Sequence, residues 1–148
     1  MALNINEKLL SKNVIEVCLS ANQNIPASTE TKISIDTIIN QVGNKLIFDT
    51  TNNQITIGDG VDYILISGQG IFNSYTTDGL RRIYAKKNNT SVVRSMQYYT
   101  QNFDGTIILT PTLVSVSEGD IISFYSNNAG VSSLYSTQSD THFTIQAI

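Results

Sequence analysis

One cysteine, one histidine, two prolines and no tryptophan occur in this chain, and each shortage removes a class of chemistry. With Cys18 alone, no intramolecular disulfide can form. Stability must then come from a hydrophobic core, and 148 residues are enough for one domain that has one. With His142 as the sole imidazole, a zinc site would have to draw on carboxylates and Cys18, at spacings the sequence does not show. Asp49, Asp59 and Asp62 lack calcium-loop spacing. No G-x-S-x-G elbow, H-E-x-x-H pair or phosphate-cradling glycine loop is present. These absences point away from an enzyme and imply no cofactor.

Charge is equally scarce. Only 14% of residues are charged and the net charge is −3. That balance argues against nucleic acid, whose binding needs a clustered positive face. No stretch approaches the roughly 20 apolar residues of a membrane-spanning helix. The opening M-A-L-N-I-N-E-K-L-L-S-K lacks the basic start and apolar run of a secretory signal. The expectation is that a role outside a cell would be reached by assembly.

What the chain does have is alternation. From Val14 onward, about eight to ten short strands follow one another, separated by turn-forming residues, with no helical periodicity. Expected strands include Val14 to Ser20, Ile33 to Thr37, Leu80 to Lys86, Ser91 to Tyr99, Thr106 to Leu109, Thr112 to Val116, Ile121 to Ser126 and Phe143 to Ala147. Lys87 to Thr90 should turn a hairpin, Pro111 should bend or end a strand, and Gln23 to Thr29 reads as a loop. Many short strands with regular turns mean a sandwich or barrel.

The most informative stretch runs from Phe48 to Phe72. Ile55 and Ile57 alternate with polar neighbours, Gly58-Asp59-Gly60 reads as a tight hairpin turn, and the strand after it is apolar on both faces. Val61, Tyr63 and Leu65 lie on one side and Ile64 and Ile66 on the other. Leaving the isoleucines wet would forfeit roughly 1.5–3 kcal/mol each. With no long helix available, the expected cover is another copy of the chain. Tyr63, Ile64, Leu65, Ile66, Ile107, Leu109 and Phe143 are therefore the candidates for core or subunit interface. Which face is inside stays open. In G-Q-G, Gly68 and Gly70 suggest close backbone approach at a bulge or strand end.

Phe48, Asn53, Ile55 and the group Gly60, Val61, Tyr63 stand near the signature positions of the C1q-like domains, the trimeric jelly rolls related to the tumour necrosis factor fold, which this chain resembles. The family's G-x-Y is G-V-D-Y here, one residue longer. The pattern L-x-S-V-S-E-G-D-I-I-S-F around Gly119 and Asp120 is similar to the turn before the family's penultimate strand. The resemblance implies an antiparallel jelly-roll β-sandwich over residues 14–148, assembling as a homotrimer, with residues 1–13 as an N-terminal arm. It also implies a knob of the kind found on bacteriophage virions: a capsid decoration or head fibre, or alternatively the polysaccharide-binding tip of a fibre. A spore or cell-surface trimer is a further alternative. In a jelly roll the first and last strands are neighbours, which would bring Cys18 near His142; both fall in strands rather than in the loops where catalytic groups concentrate.

Two sets of side chains are then candidates for contact. Leu3, Ile5, Leu9 and Leu10 would dock the arm on another virion protein. Arg81, Arg82, Lys86 and Lys87, with Arg94, concentrate positive charge on one hairpin. They suit an acidic neighbour or an anionic host glycan, with Tyr75, Tyr98 and Tyr99 offering faces for sugar stacking. A solvated edge that discourages strand pairing accounts for the same charges without a ligand.

Overall fold

A computed structural model of the chain describes residues 13–73, 77–138 and 140–148. The described residues form strands, turns and bends and no helix. In chain order the strands are β1 (Val14–Cys18), β2 (Gln23–Ile25), β3 (Thr31–Lys32), β4 (Thr37–Val42), β5 (Leu46–Asp49), β6 (Gln54–Ile57) and β7 (Tyr63–Phe72). There follow β8 (Gly79–Lys87), β9 (Thr90–Tyr99), β10 (Gly105–Ser115), β11 (Ile121–Asn128), β12 (Ser132–Leu134) and β13 (His142–Ala147). Two antiparallel sheets face one another. One runs β2-β12-β7-β13-β1-β4, with β10 on the other edge of β7; the second runs β5-β6-β11-β8-β9, with β3 on β11. The expected jelly-roll sandwich is what the chain forms.

Alternation sets each strand's inner face. In β7, Ile64, Ile66 and Phe72 are buried while Tyr63, Leu65 and Gln69 point outward. Ile107 and Leu109 on β10 and Phe143 and Ile145 on β13 join the same inner face. Opposite them stand Ile55, Ile57, Ile83 and Phe124 of the second sheet, and the Phe124 and Phe143 rings stack across the gap at 4.0 Å between centroids. The expectation that Ile64 and Ile66 shelter under another copy is therefore corrected. The second sheet of the same chain covers them, and only the outward set is left for a partner.

Gly58-Asp59-Gly60 also differs from expectation. It does not close a hairpin, because β6 lies in one sheet and β7 in the other. Gly60, at φ 73°, turns the corner between layers. The real hairpin is β5 to β6, with Leu46 opposite Ile57 and Asp49 opposite Gln54. Its turn is built by Asp49, whose carboxylate accepts the backbone N–H groups of Thr51 and Asn52 at 3.0 and 3.1 Å, while Asn53 takes φ 51°. Those bonds, led by the Asn52 side chain, hold the Asp49 carboxyl below its ordinary range.

Elsewhere the strands are longer or shifted. β8 and β9 pair as expected through Asn88 and Asn89, both at positive φ, the geometry that matches strand twist in a two-residue turn. β10 is one strand, in which Pro111 falls at a bulge between Leu109 and Thr112. Ile33 and Ile35 are buried but lie between β3 and β4, and the expected loop holds β2. Asn128, fully buried, donates from Nδ2 to Ser132 Oγ at 3.0 Å, a polar tie that anchors the unanticipated β12. Gly68 sits inside β7 rather than at its end. A Cβ there would lie 2.6 Å from the His142 carbonyl oxygen, so close backbone approach is what requires glycine. Asn13 belongs to the sandwich: its carbonyl accepts from Ala147 N at 2.8 Å and its Oδ1 from Lys45 N at 3.0 Å. Leu3, Ile5, Leu9 and Leu10 lie outside the described residues.

Candidate functional site

The outer face of the second sheet carries a cleft of about 440 Å³. Register explains its lining. Alternation along β8 sends Arg82, Tyr84 and Lys86 outward, and β9 sets Met96 opposite Arg82, Arg94 opposite Tyr84 and Ser91 opposite Lys86. Asn127 of β11 pairs with Arg82, Asn89 comes from the turn, and Glu30 enters from the segment before β3.

Within the cleft the charges divide into two groups. Glu30 accepts the Tyr84 hydroxyl at 2.6 Å and pairs with Lys86, whose ammonium also lies 4.5 Å from the centre of the Tyr125 ring. Tyr84 in turn stacks on Tyr125. The Lys86 and Tyr84 hydrogen bonds hold the Glu30 carboxyl below its ordinary value, while burial and then the Glu30 bond push the Tyr84 phenol up. Arg82 and Arg94 form the second group. Arg82 Nη1 is 3.5 Å from Asn127 Oδ1, and Arg94 is exposed with no ion pair among the described residues.

Because the Glu30 carboxyl is depressed in the folded state, its contribution to stability is present above the ordinary carboxylate pKa of roughly 4.3 and is lost as pH falls through the folded value. The effect is small, since the pair is open to solvent. Glu30→Gln is expected to lower the melting temperature at pH 7 and to match the parent near pH 3. Thermal melts of both proteins at the two pH values check it, the other carboxylates titrating alike in each.

The hairpin's remaining candidates go elsewhere. Arg81, expected as a ligand contact, is 1% exposed. It points between the sheets, its guanidinium 4.4 Å from the centre of the Tyr99 ring and 5.9 Å from that of Phe72, and donates to the Phe103 carbonyl at 3.1 Å. Tyr99 is likewise structural: its hydroxyl donates to the Thr106 carbonyl at 2.6 Å. Lys87 is tied to the Ser115 carbonyl and Asp120 beyond the cleft. Tyr98 stays exposed on the outer face of β9, two residues beyond Met96. Tyr75 lies outside the described residues. Sequence reasoning missed Glu30, Asn127 and Met96, since nothing local ties three separate segments to one face.

Cys18 and His142 are direct cross-strand partners, yet the pair is not an activated nucleophile. Burial, then Asp36 and Glu16, push the thiol up, against forming a thiolate. His142 Nδ1 is engaged with the Gln138 carbonyl at 2.9 Å. Among the described residues no three of His, Cys, Asp and Glu gather as a metal site, and no helix is long and apolar enough to cross a membrane.

The outer face of the first sheet is of a different kind. Register lines up Val42, Val14, Gln146, Leu65 and Leu113 as one rung across β4, β1, β13, β7 and β10. Tyr63 and Ile108 lie on the same face, and Leu113 and Ile108 are 58% and 59% exposed. The rung is apolar apart from Gln146, while the next one on the same face, Asn40, Glu16, Thr144 and Ser67, is polar.

No protein-family model and no curated protein matches this chain. Solved structures do. Murine APRIL at pH 5.0 superposes with a TM-score of 0.72 at 11% identity, covering 93% of this chain and 99% of that one. Murine APRIL at pH 8.0 gives 0.71 at 13%, with the same coverage. Eiger TNF from S. frugiperda gives 0.66 at 7%, covering 93% and 91%. At such identities the likeness establishes the fold, a TNF-like jelly roll.

Proposed function

We propose that this chain is a non-enzymatic structural protein, a homotrimeric knob on the surface of a phage particle. The observation that carries the assembly is the apolar rung on the outer face of the first sheet, which ends in the paired Leu65 and Leu113. Exposed aliphatic side chains aligned across neighbouring strands, as here, support an interaction site. The phage setting follows from the resemblance of Phe48 to Tyr63 to the C1q-like domains, knobs of that kind being found on virions.

In this reading the residues before Asn13 attach the knob to the particle through Leu3, Ile5, Leu9 and Leu10. Light scattering should give a mass near three times 16.2 kDa. Deleting residues 1–12 should leave that mass unchanged and abolish incorporation into virions, as read by mass spectrometry of purified particles. Retained incorporation overturns the role of the arm. A second reading, a tip that recognises host-surface polysaccharide, is favoured by the cleft around Arg82 and Arg94.

A further inference from the structure

We propose that the cleft on the outer face of the β8-β9-β11 surface binds a carboxylate-bearing saccharide, with Arg82 and Arg94 holding the carboxylate and Tyr98 stacking against a neighbouring sugar ring. The inference deepens the second reading above. It is independent of the proposed trimer, because the cleft and the apolar rung lie on different sheets.

Charge comes first. A chain of net charge −3 places Arg82, Lys86 and Arg94 in one concavity against the single carboxylate of Glu30. That carboxylate is already committed to Lys86 and Tyr84, which leaves the two arginines as the cations that face a ligand. Tyr84 and Met96, which line the cleft, lower the local dielectric and focus the field of those cations.

Geometry then narrows the anion. Arg82 pairs with Met96 and Arg94 with Tyr84, so the arginines are diagonal neighbours, roughly 7–8 Å apart at the backbone, within reach of one group for long side chains. The guanidinium fork matches a planar carboxylate through paired hydrogen bonds. Asn89, Ser91 and Asn127 line the same cleft and supply the neutral donors and acceptors that sugar hydroxyls require.

The extent of the surface separates a saccharide from a small free anion. Arg94, Met96 and Tyr98 succeed one another on the outer face of β9, and four residues of strand span about 13 Å. Met96 and Tyr98 are 43% and 61% exposed, and an exposed tyrosine offers an amphipathic face to the C–H side of a pyranose ring. An inorganic ion would use the arginines and leave this apolar extension idle.

The test is isothermal titration calorimetry of the full chain with oligogalacturonate, oligomannuronate and α2,8-linked oligosialate. The methyl ester of the best binder and inorganic phosphate serve as comparisons. At least one acidic oligosaccharide should bind, its ester about ten- to a hundredfold more weakly, as expected for loss of charge-assisted hydrogen bonds. Arg82→Ala with Arg94→Ala should cost a similar factor, and Tyr98→Ala should cost about tenfold, with the mass by light scattering unchanged in each variant. Absence of binding to all three acids, equal binding of acid and ester, phosphate binding as tightly as the oligosaccharide, or indifference to the arginine pair each overturns the proposal. A monomeric mass with saccharide binding intact would sink the trimer and spare the cleft.

Discussion

If the chain forms the trimer proposed above, Leu65→Asp together with Leu113→Asp is expected to yield a folded monomer whose mass by light scattering is 16.2 kDa, a third of the trimer's. The two leucines are direct partners across β7 and β10 and form one end of the apolar rung, facing away from the core. In the separated chain each aspartate would be hydrated, and their repulsion as direct cross-strand partners should lower fold stability by only about 1 kcal/mol. In the assembly six carboxylates would be pressed together without partners. Burying unpaired charge costs about 3–5 kcal/mol where one member of a pair is lost, and several such costs exceed what a protein interface can absorb. Near-UV circular dichroism should keep its folded signature while the mass falls. A variant that retains the parent's mass would place the interface elsewhere.

Phe143→Ala should produce the largest loss of stability. Its ring is fully buried and stacks on Phe124 at 4.0 Å between centroids, joining the last strand of one sheet to a central strand of the other. Truncation removes the transfer term and leaves a cavity that two rigid sheets cannot close, a cost of about 3–5 kcal/mol. Against a total of about 5–15 kcal/mol for an ordinary domain, that is a large fraction. The melting temperature should fall by roughly 6–20 °C. Melts must be compared at one protein concentration, since the proposed assembly would stabilise the folded chain by mass action. A change below about 1 kcal/mol would mean that the stacked pair is not where the two layers are held together.

The contrast between these two substitutions shows how much of the molecule was legible in advance. Tyr63 to Ile66 announced a strand apolar on both sides, and both sides do have work, one in the core and one facing outward. Which side was which could not be read, since alternation defines two faces without labelling them. Leu65 and Ile66 differ in position relative to the second sheet, and that sheet arrives from Ile55, Ile83 and Phe124, far along the chain. The adjacent Arg81 and Arg82 are the same case in charged form. One is buried between aromatic rings and the other lines the cleft, because neighbouring residues of a strand point to opposite faces.

The sequence alone determined what is decided locally: strand after strand by period-two alternation, the β8-β9 turn by Asn88 and Asn89, and the shortage of catalytic parts by simple count. Tertiary structure decided everything that depends on distant segments meeting. It sent Gly58-Asp59-Gly60 across the gap between layers rather than around a hairpin, gathered Glu30, Arg82, Arg94 and Asn127 from four stretches into one cleft, and set Leu65 beside Leu113 on an open face. The physical reason is that turn and strand preferences are written within a few residues. Which layer a strand joins is chosen by burial of apolar surface summed over the whole sandwich.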